Sequence, residues 1–253
     1  MGSRRKMPYG KKRKHPIKST YKAPKSRYQR ARQFTQYADY ASYAVAIWMW
    51  LAPTPYFLVM PIAFALPVIG IVIAYRFSGI VEINSDEEST ALTVMYPILI
   101  PSIGAALRVF ADYNLATYWL TWIIAAILTL LAIAFAIYKI KELNPKTIKG
   151  YITILVMIPI FLCYFWSLLI FVNCYLDRSE PQVVPAKVLS KRIYEGDSSD
   201  SFYVSIDAWS ADRSATEVEV TEDFYDAIFE GNQVDVIIRE GTLRFPWYYI
   251  GLE

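Results

Sequence analysis

Long apolar runs separated by short polar segments occupy the chain up to about residue 176. The longest, Tyr151 to Leu176, has twenty-six residues without a formal charge, and Leu115 to Tyr138 has twenty-four. A helix of that length, rising about 1.5 Å per residue, crosses a hydrocarbon core of about 30 Å. Tyr56 to Tyr75 and Ala91 to Leu107 are apolar runs that contain prolines. All four are predicted to be membrane-spanning helices.

The first apolar stretch permits two interpretations. Pro53 and Pro55 predict a tight turn, because proline lacks an amide proton and disfavours helix in the residue before it. The run ahead of this turn, Tyr37 to Ala52, is short for a span and carries Asp39. Either it forms a fifth span, or Phe34 to Trp50 lies in the membrane interface and four helices cross the bilayer.

The distribution of basic residues favours five spans. Thirteen of the twenty-six lysines and arginines lie between Arg4 and Arg32, and Lys139 to Lys149 contains four lysines. Cytoplasmic loops carry the excess of basic residues, and only an odd number of spans places both segments on that side. We therefore expect a multi-pass protein of the plasma (inner) membrane, with a cytoplasmic N-terminus and the C-terminal region in the periplasm or outside the cell.

Residues Met1 to Gln33 are polar, basic and interrupted by prolines, which predicts a disordered cytoplasmic tail. Such a tail acts as a topology determinant and contacts anionic lipid headgroups, at about 1 kcal/mol per basic residue near the surface. It could also bind nucleic acid, but no folded element that reads bases accompanies the charge, so specific nucleic-acid recognition is not predicted. The predicted domains are this tail (1–33), a transmembrane helical domain (34–176) and a soluble β-rich domain (177–253).

Beyond Pro181 the apolar period changes from helical to alternating. The predicted strands are Val183 to Tyr194, Phe202 to Trp209, Glu217 to Val220, Val234 to Arg239 and Leu243 to Ile250. Thr221 is expected to cap one short helix that ends at Gly231. The fold class is therefore an α+β membrane protein, in which a five-helix (alternatively four-helix) transmembrane bundle precedes a small, partly open barrel of the SH3 or OB kind.

Residues with catalytic or ligand-binding chemistry are scarce. The single histidine, His15, lies in the basic tail beside Pro16, and the chain has no Gly-rich phosphate loop, so neither an enzyme nor a cofactor is predicted. The acidic clusters Asp86 to Glu88 and Asp197 to Asp200 lack the spacing of a calcium loop and are interpreted as solvated turns, so no metal site is predicted.

Four polar residues lie near the ends of the predicted spans: Asp39, Arg108, Asp112 and Asn173. An ionisable residue inside a membrane is a functional hypothesis by default. Because all four are within a turn or two of a helix end, snorkelling or interfacial solvation is the simpler interpretation. The prolines in the spans are interpreted as kinks, since the discontinuous helices of transporters come with an internal repeat that this chain lacks.

The end of the last span and the β-rich region carry a resemblance. It rests on Asn173 to Asp177, Pro185 to Val188, Trp209, Tyr225 with Gly231, Gly241 to Leu243 and Pro246 to Tyr248. With these segments the chain, over roughly residues 40 to 250, resembles uncharacterised bacterial inner-membrane proteins with several spans and a small C-terminal β domain. The resemblance implies fold and topology, and it brings no activity or functional residue.

The densest aromatic run of the C-terminal region is Phe245 to Tyr249. Alternation places Tyr248 on the face opposite to Trp247, and a barrel of this size cannot bury every large group of the run. We therefore expect Tyr248 and Trp209 to contribute to a partner-binding surface and Trp247 to be structural. The expected function is a non-enzymatic scaffold or accessory subunit whose β domain contacts a protein partner or a second copy of the chain. The alternative is a small transporter or channel component with the β domain as a cap.

Overall fold

A computed structural model describes residues 25–85, 90–196, 200–209 and 214–251. Over these residues a helical bundle precedes a curled antiparallel sheet, which confirms the α+β class. The long helices are α1 Lys25–Leu51, α2 Tyr56–Arg76, α3 Met95–Asp112, α4 Trp119–Lys139 and α5 Ile148–Tyr175. The predictions for His15, for the basic segment up to residue 24, for the cluster Asp86 to Glu88 and for all of the cluster Asp197 to Asp200 except its last residue lie outside the described residues.

Helices α2 to α5 are each long and apolar enough to cross a membrane. They coincide with the four predicted apolar runs. Most of the helix ends lie within a few residues of the predicted ends. The third begins at Met95 rather than Ala91, because Leu92–Thr93 (β2) pairs in parallel with Val81–Glu82 (β1) ahead of it. At α5, the Thr147 side chain accepts a hydrogen bond from the Gly150 amide at 3.1 Å and so caps the helix N-terminus.

Helix α1 begins at Lys25 rather than Tyr37, so residues 25–33, which the sequence assigned to a disordered tail, are helical. Mostly small residues, alternately four and three positions apart, form its buried stripe: Ala31, Thr35, Ala38, Ser42, Val45 and Met49. This spacing keeps one face of α1 against α2 and α3 from Ala31 to Met49. Packing along this stripe stabilises the helix from Ala31 onward, and the largely exposed residues 25–30 extend the same helix.

The bundle has two chemically different ends. At one end, which we call the basic end, α1 starts beside the end of α2, where Arg27 Nη2 donates to the Arg76 carbonyl at 3.4 Å. The connection between α4 and α5 joins this end, because the Glu142 carboxylate accepts the Ile83 and Asn84 amides at 2.7 and 3.1 Å. Burial raises the pKa of Glu142, while the two amide donors act in the opposite direction. The connections after α2 and after α4 therefore lie together.

The sheet lies at the opposite end of the bundle. Its strands are β3 Asn114–Leu115, β4 Gln182–Tyr194, β5 Ser201–Ile206, β6 Thr216–Val220, β7 Gln233–Arg239 and β8 Trp247–Gly251. Their order is β3-β8-β7-β4-β5-β6, with antiparallel neighbours throughout. Strand β4 pairs with β7 along its first half and with β5 along its second, with an irregularity between Val188 and Ser190. This shared strand curls the sheet into a half-barrel.

The strands and the short helix predicted for the small barrel are thus confirmed. The sheet, however, curls only into a half-barrel. All five predicted strands are present, and Thr221 caps the short helix α6 Glu222–Ala227 by accepting the Phe224 amide at 3.3 Å. The helix ends at Ala227, whereas Gly231 lies at φ +90° in the turn before β7. The sixth strand, β3, comes from the connection between α3 and α4.

Candidate functional site

The sheet is fastened to the bundle by the last turn of α5. Asn173 has no exposed surface, and its Oδ1 accepts the amides of Leu243 at 3.0 Å and Phe245 at 3.3 Å. Its Nδ2 donates to the Phe245 carbonyl at 2.8 Å, and its own carbonyl accepts the Thr242 amide at 2.9 Å. The Asn173 side chain therefore gives the loop before β8 the backbone hydrogen bonds that a neighbouring strand would otherwise supply. We call Asn173, Asp177 and the loop 241–247 the clasp.

Asp177, one turn further along the chain, completes the clasp. Its Oδ2 accepts the Gly241 amide at 3.1 Å and the Trp247 indole N–H at 2.8 Å, and its Oδ1 accepts the Ser179 amide at 2.8 Å. Burial by itself raises the pKa of this carboxyl, but the hydrogen bonds from Ser179, Trp247 and Gly241 outweigh it and hold the pKa below its ordinary value. The carboxylate therefore stays charged and keeps its donors.

Gly241 shows why the loop fits so closely. Its φ is +78°, and a Cβ at this position would lie 2.4 Å from both Nδ2 and Oδ1 of Asn173. A glycine is therefore required twice, once by the backbone conformation and once by the approach of the asparagine. The sequence pointed to this glycine and to Asn173 as part of the resemblance, without a reason for either.

A second attachment passes through β3. Asn114 and Leu115 pair with Tyr248 and Trp247, and the Ala116 amide donates to the Pro246 carbonyl at 2.7 Å. The sheet thus includes a strand contributed by the helical region, on the other side of the predicted domain boundary at residue 177. Two separate elements of the bundle hold β8 in place.

The two residues predicted to form a partner-binding surface are in the core instead. Tyr248 is 5% exposed and Trp209 is 7% exposed, and their ring centroids lie 4.9 Å apart. The predicted alternation is correct, since Trp247 is half-buried on the other face of β8 with Tyr249. The prediction of which face points inward is wrong. Strand β8 begins only after the loop bound by Asn173, and in that register the Tyr248 side chain points into the half-barrel.

The polar residues at the ends of the predicted spans have different surroundings. Arg108 and Asp112 form an ion pair at 2.8 Å, and the Tyr56 hydroxyl donates to the same Asp112 oxygen at 2.8 Å. Asn173 is buried in the clasp, so interfacial solvation does not describe it. Asp39 is partly buried on α1, and its Oδ1 has no hydrogen-bond partner in the part of the chain that the structure describes.

An exposed polar and aromatic surface covers the outside of β4, β5 and β6. We call Arg192, Tyr194, Tyr203, Glu217 and Glu219 the outer sheet face. Arg192 Nη1 donates to the Tyr194 hydroxyl at 2.9 Å and lies 4.0 Å from Glu217 Oε1, and the rings of Tyr194 and Tyr203 meet edge to face at 5.1 Å. On the opposite side of these strands, Phe202 packs against α6. This face was not predicted from the sequence, although the alternation of Glu217 to Val220 indicates one solvated side.

Neither a metal site nor a polar path through the bundle is visible in the described ranges. Within them no group of three or more His, Cys, Asp or Glu residues could hold a metal ion. Six buried hydroxyls donate to the carbonyl three or four residues earlier in the chain: Thr35, Ser42, Ser102, Thr121, Thr153 and Ser167. A cavity of about 150 Å³ between α2, α4 and α5 has an apolar lining that includes Phe161 and Phe165. These hydroxyls therefore satisfy local backbone groups rather than line a route for a polar solute.

Comparison with known proteins gives no further guide, since no family model, curated protein or solved structure matches this chain. The resemblance to uncharacterised inner-membrane proteins stays a prediction. The function has to be inferred from the clasp, the outer sheet face and the surface of the bundle.

Proposed function

We propose that this chain is a five-pass protein of a bacterial plasma membrane that has no enzymatic activity and holds its β sheet at the membrane surface for a protein partner. The clasp is the observation that carries the proposal. A sheet joined to the bundle by a flexible linker would sample many orientations, whereas buried bonds from Asn173 and the pairing of β3 with β8 give this one a fixed position. A fixed binding face reduces the entropy that a partner loses on binding.

The sides of the bundle support membrane insertion. Helix α4 leaves most of its surface uncovered, and Leu130 and Phe135 are 65% and 62% exposed. Apolar surface costs about 25 cal/mol per Å² in water, and hydrocarbon removes that cost. Helix α1 supports a fifth pass, because it extends from the basic end to the opposite end and packs on two of the apolar helices.

The charges of the two ends support the orientation. The basic end carries Arg27, Arg30, Arg76, Lys139, Lys141, Lys146 and Lys149. From Asp177 to the C-terminus the chain has seven basic and sixteen acidic residues. Because basic residues accumulate on the cytoplasmic side, the proposal places the basic end in the cytoplasm and the sheet on the other side.

The outer sheet face is the surface we propose for the partner. Tyrosine and arginine are enriched among the residues that dominate protein interfaces, because they combine a large contact area with hydrogen bonding. Glu217 and Glu219 are exposed on β6, the last strand of the sheet. We therefore expect basic groups on the partner. The transport alternative has less support, because six buried hydroxyls of the described helices donate to carbonyls of their own helix or its cap.

Cysteine labelling tests the topology. In a Cys163→Ala background, Glu230→Cys is expected to react with a membrane-impermeant maleimide in intact cells, whereas Lys146→Cys reacts only after permeabilisation. Both positions are exposed, and the remaining Cys174 is buried. The background protein is the control and should stay unlabelled. Labelling of Lys146→Cys in intact cells would contradict the five-pass orientation.

Photo-crosslinking tests the partner surface. A photoreactive phenylalanine analogue at Glu219 is expected to give one discrete cross-linked product in cells, and Glu217→Lys should reduce its yield at least fivefold by reversing the acidic charge that faces the basic groups expected on the partner. The same analogue at Glu230, an exposed acid outside this face, is the matched control. A product of twice 29.1 kDa would identify a second copy of the chain as the partner. Equal cross-linking from both positions would refute a specific outer-face contact.

A further inference from the structure

A groove of about 850 Å³ lies between α1 and α2 near the basic end of the bundle. Most of its lining is apolar and open to the surroundings: Phe34 is 53% exposed and Val72 is 56% exposed. Three arginines line the same groove, Arg27 and Arg30 from the first turns of α1 and Arg76 at the end of α2. The groove is thus apolar along its length and cationic at one end, near the three arginines, which we call its mouth.

The cationic mouth lacks a matching anion in the part of the chain that the structure describes. There, none of the three arginines forms an ion pair with a carboxylate, and Arg27 donates to the carbonyl of Arg76 at 3.4 Å. Three guanidinium groups close together repel one another, and a phosphate between them would offset that repulsion with charge-assisted, bidentate hydrogen bonds. The mouth is therefore complementary to a phosphate group.

The length of the groove corresponds to one leaflet of a membrane. Its lining on α2 extends from Arg76 back to Leu66, ten residues, which is about 15 Å of helix. The hydrocarbon core is about 30 Å thick, so one leaflet supplies acyl chains over about half of that distance. A phosphate at the arginines would leave its acyl chain alongside Phe34, Val68, Ile69 and Val72.

We propose that this groove binds one anionic phospholipid of the cytoplasmic leaflet, with its phosphate held by Arg27, Arg30 and Arg76 and one acyl chain along the α1–α2 seam. The inference rests on the membrane insertion proposed above and adds a ligand to it. The chain's own residues 1–24 are a poor occupant by charge, because they contain nine lysines and arginines and no acid. Such a segment would add to the repulsion at the mouth.

Lipid binding to the full chain in detergent, followed by native mass spectrometry, tests the proposal. Phosphatidylglycerol is expected to be retained as a single adduct at least tenfold more strongly than phosphatidylcholine with the same acyl chains. The triple variant Arg27→Gln, Arg30→Gln and Arg76→Gln should abolish that preference. A triple variant of Lys139, Lys141 and Lys146 to Gln, which removes the same charge from the same end outside the groove, should keep it. Loss of the preference in both triple variants would mean non-specific attraction and would overturn the site.

Three further measurements separate a lipid in the groove from a bare anion and from lipid held by the basic tail. Val72→Trp fills the apolar length while keeping the arginines, and it should remove the adduct with the melting temperature unchanged. Glycerol phosphate, which has the anion but no acyl chain, should not displace the lipid; displacement would reduce the site to an anion site. Deletion of residues 1–24 should leave the preference intact, and its loss would assign lipid binding to the basic tail instead.

Resistance to alkaline extraction from proteoliposomes distinguishes the failure of this inference from the failure of membrane insertion. A chain that resists extraction but shows no preference for phosphatidylglycerol overturns the lipid site alone. A chain that is extracted overturns the proposed function together with the site.

Discussion

Replacing Asn173 with alanine is expected to lower the free energy of unfolding by about 3 to 5 kcal/mol, since each buried polar group left without a partner costs about 1–3 kcal/mol. The variant leaves the Leu243 and Phe245 amides and the Phe245 carbonyl without the asparagine side chain. The purified protein in mild detergent should therefore melt at a clearly lower temperature, measured by tryptophan fluorescence. Limited proteolysis should also cut the loop 241–247 faster.

Asn114→Ala is the matched control for this prediction. Asn114 lies in the same junction, but it pairs with Tyr248 as part of the β3–β8 backbone ladder, which the substitution keeps. Its effect on the melting temperature should be small. Equal effects of the two alanine variants would show that the asparagine side chain does not hold the sheet to α5.

Gly241→Ala is expected to cost about 3 kcal/mol or more, because a left-handed backbone costs a residue with a Cβ about 1–2 kcal/mol and overpacking adds about 1–3 kcal/mol. The added Cβ would lie 2.4 Å from the Asn173 side chain. Gly79→Ala is the control, since Gly79 has φ +84° and a Cβ added there would meet nothing within 4 Å. It should show only the backbone cost, measured by the same thermal melts.

A double-mutant cycle separates the two contributions at Gly241. In the Asn173→Ala background the methyl group no longer meets the amide, so Gly241→Ala should cost only about 1–2 kcal/mol, the backbone contribution. The two substitutions are therefore expected to be less than additive. Strict additivity would mean that the clasp does not depend on close contact between these two residues.

The sequence alone was a good guide wherever the signal is local. The four apolar runs became α2 to α5, and the five alternating segments became β4 to β8. The cap at Thr221 was also predictable, because a hydroxyl followed by Glu222 and Asp223 meets the needs of a helix N-terminus without any distant partner. Periodicity and capping act over a few residues, so they can be read without the tertiary structure.

The start of α1 shows where prediction from local sequence fails. The basic composition of residues 25–33 predicts disorder, yet the stripe from Ala31 to Met49 packs against α2 and α3. A heptad stripe of small residues was present in the sequence, but its apolar signal is weak because alanine, serine and threonine carry little hydrophobicity. Helix packing gains from small residues through close approach, which hydropathy does not measure.

The sequence by itself determined which segments are helices and strands and which residues share a face, because those properties follow from backbone periods of 3.6 and 2. The tertiary structure decided which face turns inward and what joins the two parts. Tyr248 and Trp209 are in the core, and Asn173 is a clasp rather than an interfacial polar group. These outcomes depend on contacts between residues far apart in the chain, such as Asn114 with Tyr248 and Asn173 with Phe245. No local pattern encodes such pairings, since each exists only once both partners are in place.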